Sequence, residues 1–333
     1  MGTLGTSRIT ETALLEPARA VADVTVTAVA ARDKSRAEAF ALRHAIPAAY
    51  GSYDELLADP DIDAIYNPLP NSAHGPWTLK AIAAGKHVLC EKPFASHTEQ
   101  AEQVTAAASA AGLIVMEAMH YRYHPLIARL RELVTELGPV QHLQCWTSFV
   151  IPDPHDIRYD YDLAGGALMD GGCYAIDCLR LLGGGEPVVT GALADPWPSA
   201  RAKSGEAGDS GEAADRAMAV RLAFPGGATG WFESAFTRDG GFRADVHVSC
   251  RDGQVWMENF ILAHFGRLIA TRNGSVIADE RATGDTTSYT YQLRAFATAI
   301  AAGDPAPTSA AQAISTMRVI DDAYRAAGLA RRP

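Results

Sequence analysis

The sequence predicts two domains, an α/β N-terminal domain with a parallel sheet and an α+β C-terminal domain with a largely antiparallel open sheet. Three observations carry this. The chain has 333 residues, enough for two cores. Up to about residue 120, short buried-type apolar runs alternate with helical segments, the pattern of βαβ units. From Val140 onward the pattern changes to strands joined by turns. The boundaries are drawn at 1–120 and 121–333, with the last helix able to pack back on the first domain.

Composition narrows the function classes. An apolar fraction of 48% and a charged fraction of 20% are those of a globular protein. The formal charge of −10 opposes nucleic-acid binding, which needs a basic surface to neutralise phosphates. No apolar run reaches the roughly 20 residues that cross a bilayer, so no membrane partner is expected. Without a basic leader or an apolar signal core, the expected location is cytoplasmic. The five cysteines are odd in number and lack metal-like spacing, as buried thiols in a reducing compartment would.

In the first domain, residues 1–10 read as the end of a strand and the turn into a helix, with Gly5, Thr6, Ser7, Arg8 and Ile9 at the turn. The match to G-x-G-x-x-G is imperfect, Ser7 and Thr10 standing for the later glycines. The strand ahead of Gly5 is short, as it would be if the native start lay upstream. Val24 to Ala30 reads as a second strand, ending at Ala31-Arg32-Asp33. An acid at that strand end would bind the ribose of NAD; Ala31 stands there instead, and Arg32 with Arg36 suits a phosphate, so NADP is favoured. A register shift of two residues would make Asp33 the ribose acid and reverse the preference, leaving NAD possible.

Helices at about 35–44 and 53–58 precede a strand at 62–66. Next comes a proline-stiffened loop, Asn67 to His74, containing Pro68, Leu69 and Asn71, and then a helix from Pro76 that stops at Gly85. The strand Val88 to Cys90 delivers Glu91-Lys92-Pro93 at its carboxyl end, where open α/β sheets place their chemistry. Ser96-x-x-Glu99 reads as a capping box opening a helix to Ala111, with Gly112 closing it before a strand at 113–116. His120 and His124 have helical metal-ligand spacing, but Pro125 interrupts the helix and no third ligand is evident, so no metal is expected.

In the second domain, strands are expected at 141–149, 188–193, 218–224, 228–235, 243–250 and 254–258. Ser199 to Asp215 reads as a mobile hairpin loop, Asn273-Gly274 as a hairpin turn, and Ser309-x-x-Gln312 as the start of a last helix ending at Gly328. If the chain is helical from Ala167, Asp170 and Tyr174 lie one turn apart on one face. The plainer reading makes Asp170 an N-terminal helix acid and Tyr174 a half-buried aromatic.

Four segments together resemble the glucose-fructose oxidoreductase, inositol dehydrogenase and MocA family: Pro68-Leu69-Pro70-Asn71-Ser72-Ala73-His74, Glu91-Lys92-Pro93, the stretch from Glu117 to Pro125, and Gly165 to Tyr174. Tyrosine at 174, where many members have histidine, resembles the branch of dimeric dihydrodiol dehydrogenases and NADP-dependent xylose dehydrogenases. The resemblance implies a Rossmann domain followed by an open-sheet domain, and Lys92, Asp170 and Tyr174 as the catalytic set. It places Gly5 to Ile9, Arg32, Arg36, Pro68, Leu69, Asn71, His74, Glu91, Lys92 and Arg122 at the cofactor, and Tyr121, Arg122, Arg158, Asp170 and Tyr174 at the substrate.

The implied chemistry is hydride transfer between nicotinamide and a CH-OH group of an aldose, cyclic polyol or trans-dihydrodiol. Tyr174 handles the proton, and the charge of Lys92 brings a phenol pKa near 10 towards neutrality. The alternatives are reduction of a ketosugar, free or nucleotide-linked, and a non-catalytic NADP-binding sensor or regulatory protein. The exposed sheet face implies a homodimer or homotetramer.

Overall fold

The computed structural model describes residues 1–198, 212–237 and 240–333. These divide into two compact units, 1–120 with 286–314, and 121–285 with 315–333. Segment 286–314 therefore groups with the first unit, although the sequence boundary assigns it to 121–333.

The first unit is built on β1 (Gly2–Leu4), β2 (Ala28–Ala30), β3 (Ala48–Tyr50), β4 (Ala64–Asn67), β5 (His87–Cys90) and β6 (Val115–Glu117). They form one parallel sheet in the order β3-β2-β1-β4-β5-β6. Ile65, Tyr66, Val88, Leu89 and Cys90 are wholly buried, as expected of strands covered on both faces. The order reverses direction between β1 and β4, where doubly wound sheets bind ligands.

A π turn (Glu11–Leu15) runs into α1 (Glu16–Ala18) after β1; α2 (Lys34–His44), α3 (Tyr53–Leu57), α4 (Asn71–Ala83) and α5 (Thr98–Ala111) follow. Three expectations are corrected here. The second strand begins at Ala28 rather than Val24, because the Val24 N–H closes a turn onto Val21 O at 3.1 Å. Helix α4 begins at Asn71, behind Pro70, so Pro76 lies inside it at the cost of one i→i−4 bond. The capping box opening α5 is one residue later than expected. His97 Nδ1 accepts from the Gln100 N–H (3.3 Å) and Gln100 Oε1 accepts from the Ser96 N–H (2.9 Å).

The second unit opens with α6 (Pro125–Glu136) and β7 (Val140–Val150), and a π turn (Leu168–Gly172) leads into α7 (Cys173–Leu182). Then come β8 (Val188–Pro198), β9 (Ala213–Ala223), β10 (Thr229–Thr237), β11 (Arg243–Cys250), β12 (Gly253–Glu258), β13 (Arg267–Arg272) and β14 (Ser275–Arg281). The eight strands form one sheet, β14-β13-β12-β11-β7-β10-β9-β8, antiparallel except at β7–β10. Asn273 (φ 50°) and Gly274 (φ 80°) make the β13–β14 turn, both at positive φ as a type I′ hairpin requires.

Of the loop expected at Ser199–Asp215, residues 199–211 lie outside the described residues, and 213–215 belong to β9. Asp215 is wholly buried, its charge paired rather than solvated. Segment 286–314 carries α8 (Ser288–Ala302), and α9 (Ala310–Ala326) runs from it into the second unit, ending before Gly328 at φ 71°.

Candidate active site

At the end of β1 the chain turns at Gly5, whose φ of 81° suits glycine and whose N–H donates to Ala30 O at 2.7 Å. A Cβ there would lie 3.2 Å from Leu69 Cδ2 and 3.7 Å from the Tyr53 hydroxyl. This bare backbone, followed by Thr6, Ser7, Arg8 and Ile9 and the start of a helix, fits a dinucleotide pyrophosphate.

Past β2, Arg32 and Arg36 are exposed, and Arg36 Nη2 donates to Thr6 Oγ1 at 3.4 Å. Asp33 caps α2, accepting from the Ser35 N–H (2.9 Å) and hydroxyl (2.7 Å), which hold its carboxyl below the usual range. The carboxylate is thus engaged by its own helix. Burial raises the phenol of Tyr53, while Arg32 and Arg36 pull it the other way. Tyr53 joins the cluster unannounced by any sequence signal except its place at the head of α3.

Two loops meet where the nicotinamide-side residues were expected. Asn67, wholly buried at the end of β4, donates to His74 O (3.1 Å) and Thr78 Oγ1 (3.2 Å). His74 is 1% exposed, with Nε2 2.7 Å from Leu69 O and Nδ1 2.7 Å from Pro93 O. Burial lowers its pKa to about 4 against the pull of the two carbonyls, and the charge of Lys92 lowers it further. His74, expected at the cofactor, therefore braces the Pro68-Leu69 loop against the loop that carries Lys92. Pro68 is buried, while Leu69 and Asn71 are half-buried.

Lys92 follows β5 half-buried, joined to Pro93 by a cis peptide. Before it, the Glu91 N–H donates to Asn67 O (3.0 Å), and buried Glu91 Oε1 accepts from the Tyr66 hydroxyl at 2.7 Å. After it, the Phe94 N–H donates to Glu117 Oε1 at 2.9 Å. Glu117 exchanges further bonds with Thr308, so the lysine is held on both sides.

In the second unit Asp170 and Tyr174 lie on the π turn and the first turn of α7. Gly171 lets this segment lie on the sheet, since a Cβ would stand 2.6 Å from Ser234 Oγ and 2.8 Å from Phe149 Cε2. Tyr174 is 4% exposed, its ring edge-on to Tyr121 at 6.1 Å. Asp170 Oδ2 accepts from Arg158 Nε at 3.0 Å, and Arg158 Nη1 donates to Asp156 Oδ1 at 3.1 Å. The Arg158 pKa rises, first through Asp170.

Tyr121 is wholly buried, its hydroxyl donates to Asp177 Oδ2 at 2.5 Å, and its ring backs Tyr174. Arg122 Nη1 donates to Asp177 Oδ1 at 3.0 Å, which makes Asp177 the organiser of this pair. Sequence reasoning missed it, because the partners are more than fifty residues away and Asp177 reads as one polar residue on an apolar helix.

Among the described residues no group of three His, Cys, Asp or Glu could hold a metal. His120 bonds Ser288 Oγ at 2.8 Å and stacks on Tyr289, and His124 caps α6 by accepting the Leu126 N–H at 3.2 Å. All five cysteines are buried free thiols. No helix among the described residues is long and apolar enough to cross a membrane.

Residues 1–119 match the oxidoreductase family described by its NAD-binding Rossmann fold, and residues 127–256 match the GFO/IDH/MocA C-terminal domain. The chain is 37% identical over 332 residues to a D-xylose 1-dehydrogenase (NADP(+)) of Haloferax volcanii, covering 98% of this chain and 96% of that one. The structure resembles aldose-aldose oxidoreductase from Caulobacter crescentus complexed with glycerol. The TM-score is 0.86 at 27% identity, over 98% of this chain and 96% of that one. It also resembles a 3-ketoreductase from Actinomadura kijaniata in complex with NADP and TDP-benzene. There the TM-score is 0.84 at 26% identity, with the same coverage.

Proposed function

The chain belongs to the GFO/IDH/MocA family of NAD(P)-dependent oxidoreductases, and from that membership we propose that it oxidises an aldose or a related cyclic CH-OH substrate with NADP. The observation that carries the reading is one chain holding Lys92 at the end of β5 and Asp170 with Tyr174 at the head of α7. The name of the Haloferax relative makes D-xylose the first substrate to test.

The preference for NADP rests on Arg36 bonding Thr6 and on exposed Arg32 just past β2, with Asp33 engaged as a helix cap. Arginines there pair with a 2′-phosphate, whereas NAD would call for a free carboxylate. Gly5 to Ile9 hold the pyrophosphate, and Pro68, Leu69 and Asn71 wall the nicotinamide end. When bound, the nicotinamide supplies the hydride acceptor.

Tyr174 takes the hydroxyl proton. An ordinary phenol titrates near 10, so the ammonium of Lys92 is assigned the task of stabilising the phenolate. Asp170, already bonded to Arg158, orients the substrate hydroxyls.

The test is Lys92→Ala. D-xylose turnover with NADP is expected to vanish while NADPH binding, read by fluorescence, stays within a few-fold. Full retained turnover would sink the assignment. Tyr174→Phe is expected to lower the rate and change its pH profile; an unchanged profile puts proton transfer on another group.

A second reading, reduction of a nucleotide-linked ketosugar, draws on the likeness to the Actinomadura 3-ketoreductase. NADPH oxidation with such a ketosugar, and no turnover of any aldose, would favour it. Self-association through the open face of the eight-stranded sheet, and a cytosolic setting suited to five free thiols, belong to the same proposal.

A further inference from the structure

The polypeptide after α9 reaches the segment that carries Asp170 and Tyr174 through a buried ion pair. The side chains of Arg332 and Asp215 are both 0% exposed, with Arg332 Nη2 2.6 Å from Asp215 Oδ1. Tyr324 donates its hydroxyl to the same oxygen at 2.7 Å. The other carboxylate oxygen accepts the Leu168 N–H at 2.7 Å. Leu168 opens the π turn, so Asp215 caps this helical segment from β9 and places negative charge at its N-terminus.

The guanidinium also grips the other side of the turn. Arg332 Nε donates to Gly165 O at 2.6 Å. Its Cζ lies 4.1 Å from the Tyr324 ring and 5.0 Å from the Tyr161 ring, a cation held between two aromatic faces. Gly166, at φ 138°, has no room for a side chain: a Cβ would run into the Asp215 carboxylate and stand 2.8 Å from the Tyr324 hydroxyl. Asp170 hangs from this turn, its N–H donating to Gly166 O at 3.0 Å.

A buried pair of this kind adds little stability over well-packed apolar residues, so its directional bonds matter more than its charge. We propose that Arg332, through Asp215, is a positioning residue that holds the Gly165–Leu168 turn in register and thereby places Asp170 and Tyr174 for catalysis. The catalytic part of the inference rests on the function proposed above.

The experiment is Arg332→Met in the NADPH-loaded protein. It measures amide hydrogen exchange over residues 166–172, NADPH affinity, and kcat and KM for D-xylose. Exchange in this stretch is expected to accelerate while β11 stays protected, and kcat to fall about 10- to 100-fold, the cost of a displacement near 1 Å. NADPH affinity should stay within about twofold, because a catalytic-turn displacement acts on the reacting geometry. Arg332→Lys, which keeps the charge without the fork, should recover part of both losses.

Unchanged exchange, or faster exchange with unchanged kcat, overturns the proposal. Should Arg332→Met fail to fold, Tyr324→Phe removes one donor from Asp215 and is read in the same way, with a few-fold loss of kcat expected. If the wild-type protein does not turn over D-xylose, or Tyr174→Phe is fully active, the proposed function fails on its own account. Hydrogen exchange alone then decides whether Arg332 holds the turn.

Discussion

His74 shows how much one side chain can contribute without touching a substrate. Its two ring nitrogens each face a carbonyl oxygen at 2.7 Å, yet the neutral ring has one N–H to give. Its pKa falls from 6.5 to about 4 on folding. Between those values the unfolded chain binds a proton that the folded one refuses. Stability is therefore undiminished above pH 6.5 and declines as the pH drops towards 4, with a limit of roughly 3 kcal/mol. His124, likewise lowered to about 4 by burial, adds in the same direction. His74→Gln is expected to flatten the fall in melting temperature between pH 6.5 and 4; an unchanged slope would assign the acid sensitivity to His124 or another group. Also at this scale, Arg32→Ala should raise KM for NADP by about 10- to 100-fold and change KM for NAD by only a few-fold, as loss of a charged hydrogen bond would. Equal effects on both would return Asp33 to the ribose. As candidates, Lys92 and Tyr174 could be proposed from the sequence because local motifs carry them. Tyr53 and Asp177 could not, since their partners lie far away in the chain and neither interrupts a pattern.

At the scale of elements, what could be read was whatever local physics decides alone. The apolar runs at 62–66 and 88–90 became β4 and β5 because strands buried on both faces need unbroken apolar residues. Asn273-Gly274 turned as expected because few other pairs accept two positive φ values. Errors arose where tertiary contacts outvote local signals. His97 took the cap from Ser96, α4 swallowed Pro76, and Asp215, polar and followed by Arg216, entered β9 because Arg332 neutralises it there. The π turn Leu168–Gly172 had no readable signature beyond Gly171-Gly172, and it is the element on which the proposed chemistry most depends. Gly171→Ala tests this. The added methyl would meet Ser234 Oγ and Phe149 on the sheet, so a destabilisation of about 1–3 kcal/mol is expected, with a loss of turnover beyond what unfolding explains. A variant as stable and active as wild type would show that the segment can shift without consequence.

At the scale of the whole molecule, the eight-stranded sheet has one face that is filled and one that is open. Along β7, β10, β11 and β12, Leu143, Cys145, Phe232, Val246, Val248, Val255 and Met257 point to the buried side. The alternate residues put Trp146, Trp231, His247 and Trp256 on the other, where they are half-buried. The three indoles form one cluster, Trp146 lying 5.1 Å from Trp231 and 5.8 Å from Trp256 between ring centroids, with Arg243 4.3 Å over Trp146. Tryptophan and arginine are the residues that dominate protein interfaces, and three adjacent indoles are costly to leave against water. Gln144 and Gln254 flank His247 and bond its two ring nitrogens at 3.1 Å each, a polar surround for that apolar patch. The proposed self-association uses this face, and Trp231→Glu, at one end of the indole cluster, places a charge against Trp146. Light scattering is expected to show wild-type protein as a dimer or larger, and the variant at the mass of a single chain with its NADPH affinity within a few-fold. A variant that keeps the wild-type mass, or a wild-type protein that runs as a monomer, would reassign the face to a different partner.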